Sequence, residues 1–367
     1  MNTTWAIDLE DAEGLIAADR EGLLRAASMA GASVRSVAAA VQEGALDSLR
    51  IDERPRSVIW VAGRGNAETA GAMLAATLAG TAEEPIVVAA AAPPWVGPLD
   101  VLIVAGDDPG DPALVQAAAT GVRRGARVVV AAPYEGPLRD STAGRVAELA
   151  PRLQVPDEFG LCRYLAAGLA ALHTVDPKQR IDLGVLADEL DAEALRNSAG
   201  RELFTNPAKT IAARISGRKV ALAGDCAATI ALARHGSSAL LRIAHQVVGA
   251  SALADAVVAL RATSGQGGND PAAVDALFHD EEIDGPLPER LRVLALTLGG
   301  ERTVVAARVA GLDVDLIAAD DVPEAPGAPD VSVASPAQPG AGRAEQQLAI
   351  LAVRLEMAAV YLRLVRG

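Results

Sequence analysis

Two glycines flank Arg64 in the run Gly63-Arg64-Gly65-Asn66, directly after an apolar stretch. Glycines in that setting let backbone amides close on a phosphate where the next helix starts. A dinucleotide fingerprint would need its third glycine at the place of Glu68, and no acid closes the stretch Pro85 to Ala91 to hold a ribose. The run therefore reads as a tight turn. The histidines are His173, His235, His245 and His279, and no two have the spacing of a metal site with a third ligand nearby. Asp280, Glu281, Glu282 and Asp284 lack the glycine and alternating ligands of a calcium loop and read as a solvated acidic loop. No serine sits in a Gly-x-Ser-x-Gly elbow, and no Walker lysine follows a glycine loop. Neither a metal nor a cofactor is expected. Cys162 and Cys226 stand in apolar surroundings without Cys-x-x-Cys spacing, the pattern of buried free thiols in a reducing compartment.

Such turns need a scaffold, and the chain supplies its pattern. Its 367 residues, 51% hydrophobic, are enough for two domains of ordinary size. Residues 9 to 47 read as helix, with apolar positions at Leu15, Ile16, Leu23, Leu24 and Met29. Short β-branched runs then alternate with alanine-rich helical stretches: Ser57–Ala62, Ala67–Leu78, Pro85–Ala91, Asp100–Ala105, Pro112–Arg124 and Ala126–Ala132. A helix from Gly160 to His173, between Pro156 and Pro177, closes this first unit. A second alternation follows, with strands at Lys219–Ala223, Arg292–Leu298 and Val314–Ala318 and a long helix at Ala227–Val248. Val322 to Arg343 is dominated by Pro, Ala, Gly and Ser, as a flexible loop or tether would be. The last segment, Ala344 to Val365, reads as an amphipathic helix closing the second domain.

The expected fold is α/β, with two doubly wound parallel-sheet domains in three αβα layers. The expected divisions are 1–153 with its leading helices, a connecting helical segment 154–205, and 206–367 with the loop 322–343. Polar or glycine-rich turns follow the first strand of each half, at Gly63–Asn66 and at Gly224-Asp225. In a doubly wound sheet these lie at the carboxyl edge, where ligands collect near the switch in strand order.

A formal net charge of -14 with no basic run longer than two residues repels nucleic acid and anionic lipid at long range. A small phosphorylated metabolite remains compatible, because a few oriented amides outweigh a distant net charge. The longest apolar stretches are too short to span a bilayer, and the first thirty residues carry acids rather than a basic-then-apolar signal. No membrane association is expected, and a cytoplasmic location is.

Three blocks match a known pattern in order and spacing. Val58 to Gly71, reading VIWVAGRGNAETAG, resembles the strand and GMGGSAIAG turn that opens the first sugar-isomerase (SIS) domain of the bifunctional phosphoglucose/phosphomannose isomerases. Asn206-Pro207-Ala208-Lys209, with Ala212, Ala213 and Gly217 before the next strand, is similar to the NPAK block that begins their second domain. Ala359 to Gly367 resembles the family's last helix, although the chain stops where the family continues with Asp-Pro. The resemblance covers about residue 50 to the end, and extends to a divergent actinobacterial branch called TobH-like. It implies two SIS-type domains, a homodimer, and a sugar phosphate or sugar derivative held by Gly63, Arg64, Gly65, Asn66 and Ala67 and by the loop containing Gly106, Asp108 and Asp111.

At the places where the resemblance implies chemistry, this chain departs from it. The serine of the first turn falls at Ala67, and the family's hydroxyl-rich SYSGNT loop reads Gly106-Asp107-Asp108-Pro109-Gly110-Asp111. Two carboxylates within ~4–6 Å of a phosphate dianion oppose binding by several kcal/mol unless an arginine or a metal intervenes. The glutamate that moves a proton between adjacent carbons falls at Arg242, which takes no proton at neutral pH. His245 is the nearby candidate to substitute for it, the ring-opening histidine has no counterpart among Ser251 to Leu260, and the interdomain arginine falls at Asp157. The expectation is an SIS protein with a degenerate site that binds a carbohydrate derivative or acts as a regulatory or scaffold partner. The alternative is a working isomerase between glucose 6-phosphate or mannose 6-phosphate and fructose 6-phosphate, with relocated groups. A third reading is a structural subunit pairing with an active paralogue. An acid near Arg242 and a hydroxyl cluster near Gly65 would favour the enzyme, and neither is evident locally in the sequence.

Overall fold

Three helices lead the chain: α1 (Ala12–Ala18), α2 (Leu23–Ala27) and α3 (Ala30–Gln42). The computed structural model describes residues 7–51, 53–179, 181–263, 290–321 and 343–366. His279, the acidic run 280–284 and the stretch 322–342 lie outside the described residues. After the leading helices come β1 (Ser57–Ala62), α4 (Asn66–Leu78), β2 (Ile86–Ala89), β3 (Asp100–Ala105), α5 (Pro112–Arg123), β4 (Arg127–Ala131), α6 (Gly136–Thr142) and β5 (Ala147–Glu148). All five strands are parallel, in the order β2-β1-β3-β4-β5. Helices α7 (Leu161–Val175), α8 (Leu183–Arg196) and α9 (Pro207–Ile215) lead to a second parallel sheet. Its elements are β6 (Val220–Gly224), α10 (Ala227–Ala244), β7 (Gly249–Ala252), α11 (Leu253–Thr263), β8 (Arg292–Leu296), α12 (Arg302–Arg308) and β9 (Val314–Ile317), with strand order β7-β6-β8-β9. Helix α13 (Ala344–Arg366) ends the described chain.

Alternation along the strands decides which side each layer covers, because successive side chains point to opposite faces. Ile59, Val61, Leu102, Val104, Val128 and Val130 pack with Leu114, Ala117 and Leu138 of α5 and α6. Val58, Trp60, Val101, Ile103 and Val129 face the other way, into a core that continues through α4 and α7. That same core runs on through α8, α9, α10 and α13 to Leu222, Leu294 and Leu296 on the inner face of the second sheet. The outer face of the second sheet packs Val293 and Ala295 on Leu253, Leu260 and Val305. The two sheets thus enclose a shared helical layer, and the α/β class with two parallel sheets is the one expected.

The amphipathic expectation for the last helix is corrected. Leu348 to Leu362 of α13 is buried with the exception of Ile350, which is partly so, and leaves no continuous polar face. The helix touches α8, α9 and α10 and also α1, α2, α4 and α7, so it lies between the halves rather than on the outside of one. Its alanines and leucines fit burial on all sides. The polar residues that share this position are paired. Arg354 donates from Nε to Glu193 at 2.7 Å and from Nη1 and Nη2 to the carbonyls of Ala318 and Ala319. Glu356 meets His235 Nε2 of α10 at 2.9 Å.

The Asn206-Pro207-Ala208-Lys209 block is structural. Asn206 caps α9 by accepting from the Lys209 amide, Pro207 occupies the first turn where no N–H is needed, and Ala208 is buried. The buried Lys209 ammonium donates to the carbonyls of Ala199 and Arg201, both at 2.8 Å, and stands 5.6 Å from the Tyr361 ring of α13. Two smaller expectations are also corrected. Helix α10 stops at Ala244 rather than Val248, since His245 adopts φ +52 and β7 follows. Cys162 is buried, but Cys226 is only partly so, because it caps the amino end of α10.

Burial alone would push Glu193 up, but Arg354, Arg196 and Asn197 together hold it below the ordinary carboxylate range. A depressed folded value means that the stability from this group is present above the unfolded carboxylate pKa and is lost as pH falls through the folded one. Glu193→Leu leaves Arg354 charged and buried without its partner, and should cost about 3–5 kcal/mol in urea denaturation at pH 7. The deficit relative to wild type should shrink on acidification. A variant as stable as wild type at pH 7 would show that the pair contributes nothing.

Candidate functional site

In the order β2-β1-β3-β4-β5 the chain reverses direction across the sheet between β1 and β3, which opens a crevice at their carboxyl ends. The loops that follow those two strands are Gly63–Gly65 and Gly106–Asp111. They line a cleft of about 380 Å³ together with Asn66, Leu114, Asp157 and, from α10, Ser238 and Arg242. Gly63, Arg64, Gly65, Asn66, Gly106, Asp108 and Asp111, each expected at a site from sequence, are therefore brought together. Ala67 is not among the lining residues. It is buried, and its carbonyl accepts from Trp60 Nε1 at 2.9 Å. His245 does not line the cleft either, and stands exposed at the carboxyl end of α10.

Local geometry explains the first turn. Gly65 has φ +63 and ψ -130, a backbone region open to glycine and almost closed to other residues, and it delivers the chain into α4. Asn66, at the start of that helix, donates from Nδ2 to the carbonyls of Asp157 and Glu158 at 2.5 and 3.1 Å. The turn Asp157–Phe159 is thereby fastened beside β1. Trp60 on β1 fills the space beside α4, where a Cβ on Gly71 would approach its ring to 2.3 Å.

The acids of the second loop already have partners. Asp111 accepts from the Ala113 amide at 2.8 Å and caps α5, with Pro112 in the first turn. Asp108 accepts from the Gly110 amide at 2.8 Å. Asp107 accepts from the Tyr164 hydroxyl and, at 3.2 Å, from Arg163 Nη2, whose guanidinium lies 4.1 Å from the Tyr164 ring. Burial, with Asp107 close by, moves the Tyr164 phenol far above its usual range, so it stays protonated and donates to Asp107.

Asp157 lines the same cleft from the other side. Desolvation and the like charges of Asp107 and Glu158 raise its pKa above the ordinary aspartate value, against the pull of Arg242 and Arg163. Arg242 Nη2 meets Glu158 Oε1 at 2.9 Å. The place where the resemblance implies a proton-moving carboxylate thus holds a cation, with two carboxylates beside it that come from elsewhere in the chain. No group of three or more metal-ligating side chains occurs among the described residues. No helix of the described residues is long and apolar enough to cross a membrane.

Sequence reasoning missed Arg163, Tyr164, Ser238 and Glu158. One signal was present: Arg163 is the only charged residue in Leu161–Ala171, an otherwise apolar helical run, and a charge there needs a buried partner. At the second-half turn Gly224-Asp225, Asp225 pairs with Arg308 at 2.5 Å.

No protein-family model matches the chain, and no curated protein matches its sequence. Solved structures match throughout its length. A candidate phosphosugar isomerase from Clostridium difficile 630 has a TM-score of 0.60 at 10% identity, covering 94% of this chain and 93% of that one. One from Silicibacter pomeroyi DSS-3 gives 0.58 at 13%, covering 92% and 96%. The tagatose-6-phosphate ketose/aldose isomerase of Escherichia coli gives 0.56 at 13%, covering 97% and 92%. At these identities the likeness is one of fold, and the fold is the two-sheet SIS type.

Gly65→Ala meets no atom within 4 Å, so any loss it causes is backbone strain alone. The expected loss is about 1–3 kcal/mol in urea denaturation. An unchanged unfolding midpoint would show that the turn tolerates a side chain and that Gly65 is not required by its geometry.

Proposed function

We propose that this chain binds a carbohydrate derivative, of the sugar-phosphate kind, at the β1/β3 crevice and does not isomerise it. The observation that carries the reading is Arg242, ion-paired to Glu158 where proton transfer between carbons would need a free base. Support also comes from the loop after β3, whose acids cap helices and loop amides instead of presenting hydroxyl donors. In this reading an anionic group faces Arg64 and Arg242, and sugar hydroxyls donate to Asp107 and Asp157. The finer kinship with the bifunctional phosphoglucose/phosphomannose isomerases and their TobH-like branch belongs to the same proposal, resting on the turn at Val58–Gly71 and on Asn206–Lys209. So do the division at 1–153, 154–205 and 206–367, a cytoplasmic homodimer, a regulatory or scaffold role, and pairing with an active paralogue.

A specific observation favours a second reading. Asp157, with its raised pKa, and Glu158 stand beside Arg242, so a carboxylate base could reach the crevice from the 157–159 turn instead of from α10. The chain would then be an aldose–ketose isomerase with a relocated base.

A coupled assay for fructose 6-phosphate formation separates the two. No turnover above background is expected with glucose 6-phosphate or mannose 6-phosphate, because a positioned base supplies about 10²–10⁴-fold of such a reaction. Robust turnover, lost in Asp157→Asn, would overturn the binding reading in favour of the enzyme. Calorimetry with fructose 6-phosphate adds an independent check. The double change Asp108→Ser, Asp111→Thr should tighten binding, since repelling acceptors become donors while Thr still caps α5. Unchanged or weaker binding would show that this loop does not face the phosphate.

A further inference from the structure

The three aspartates of the loop after β3 are not held alike. Asp108 and Asp111 each accept from an amide two residues further along, those of Gly110 and Ala113, so their bonds shape the loop and the start of α5. Asp107 is held from outside the loop, by two adjacent side chains of α7. The Tyr164 hydroxyl and Arg163 Nη2 both donate to it, and both reach the same oxygen, Oδ1. Oδ2 has no hydrogen bond to the described residues, and the side chain, 29% exposed, remains open to the crevice that it lines. The two donors are themselves fixed. Tyr164 is fully buried, a Cβ on Gly160 would stand 3.5 Å from its ring, and the Arg163 guanidinium lies 4.1 Å from the ring centre.

A carboxylate anchored through one oxygen offers the other in a set direction, and offers it as an acceptor. Its charge opposes any phosphate, and only a ligand that also brings a hydroxyl gives it a hydrogen bond in return. A phosphate carrying a polyol is therefore favoured over the free ion. Resting on the crevice as the sugar-phosphate site, we infer that Asp107 is its specificity-determining acceptor, taking a sugar hydroxyl on Oδ2, and that Tyr164 is a positioning residue that acts through Asp107.

Isothermal titration of the full chain with the 6-phosphates of fructose, glucose and mannose tests this, inorganic phosphate being read as a competitor. The readout is the ratio of the phosphate Kd to the sugar-phosphate Kd, because the free ion reports the anion contacts and the ratio reports the sugar. Asp107→Asn should lower the ratio about tenfold, since the Tyr164 hydroxyl keeps Oδ1 as its acceptor and turns a neutral amide donor toward the crevice in place of a charged acceptor. Tyr164→Phe should lower it about threefold, as the charge stays and only its aim is lost. A role confined to folding would weaken both ligands together and leave the ratio where it was. In the double variant the ratio should fall no further than in Asp107→Asn, because Tyr164 acts through Asp107. A wild-type ratio near one, or a ratio that Asp107→Asn leaves unchanged, overturns the inference while the crevice reading stands. An unchanged ratio in Tyr164→Phe overturns the positioning role, and if thermal melting shows that variant unfolded, Asp107→Asn decides by itself. No binding of any of the three sugar phosphates overturns both the inference and the reading beneath it.

Discussion

The burial of α13 from Leu348 to Leu362 is the constraint on which the rest of the molecule depends. Enclosed by helices from both halves, this stretch cannot send its charged groups, Arg354 and Glu356, to water, so each must find a partner inside. Arg354 reaches Glu193 of α8 and the two carbonyls after β9, which ties the connecting helices to the edge of the second sheet. Glu356 finds His235 on α10, and Gln347 accepts from the Gly299 amide after β8. Burial raises the Glu356 pKa, and its contact with His235 opposes that rise. Replacing such pairs by apolar residues is often harmless, whereas removing one partner is not. Their directionality fits a role in setting the register of the helical layer.

That register decides the site. With α10 held against α4 and the 157–159 turn, Arg242 reaches Glu158 and the crevice acquires a wall from the other half of the chain. The first sheet by itself would present only two loops. Asn66 closes the arrangement by binding the turn that carries both acids. The fold is shared with phosphosugar isomerases, but what a shared fold can do is settled by the groups at its crevice. Here the crevice carries four aspartates, Asp107, Asp108, Asp111 and Asp157, and two arginines, Arg64 and Arg242.

Much of the fold was legible in the sequence because its signals are local. The strands Ser57–Ala62, Asp100–Ala105 and Arg127–Ala131 announce themselves as short β-branched runs between alanine-rich helices. β7 was missed because Gly249–Ala252 has neither length nor branched side chains and becomes a strand by pairing with β6. The last helix was misread for a related reason. Its Arg354 and Glu356 look like a solvent face, and only their partners at Glu193 and His235, far away in sequence, reveal a buried one.

For the site, the sequence pattern placed the turn Gly63–Asn66 after the first strand of the first half, and the family resemblance placed the loop Gly106–Asp111 beside it; the strand order that brings them together is a tertiary fact. The sequence by itself also determined that Asp107, Asp108 and Asp111 stand after β3 and Arg242 stands on α10. Tertiary structure alone decided what those residues do. Whether an aspartate repels a ligand or caps a helix depends on the nearest amide, and Asp111 has Ala113 while Asp108 has Gly110. Whether Arg242 stands free depends on Glu158, 84 residues away along the chain and 2.9 Å away in space. Electrostatic and hydrogen-bond interactions act over a few ångströms, and sequence separation carries little information about which groups folding brings within that range.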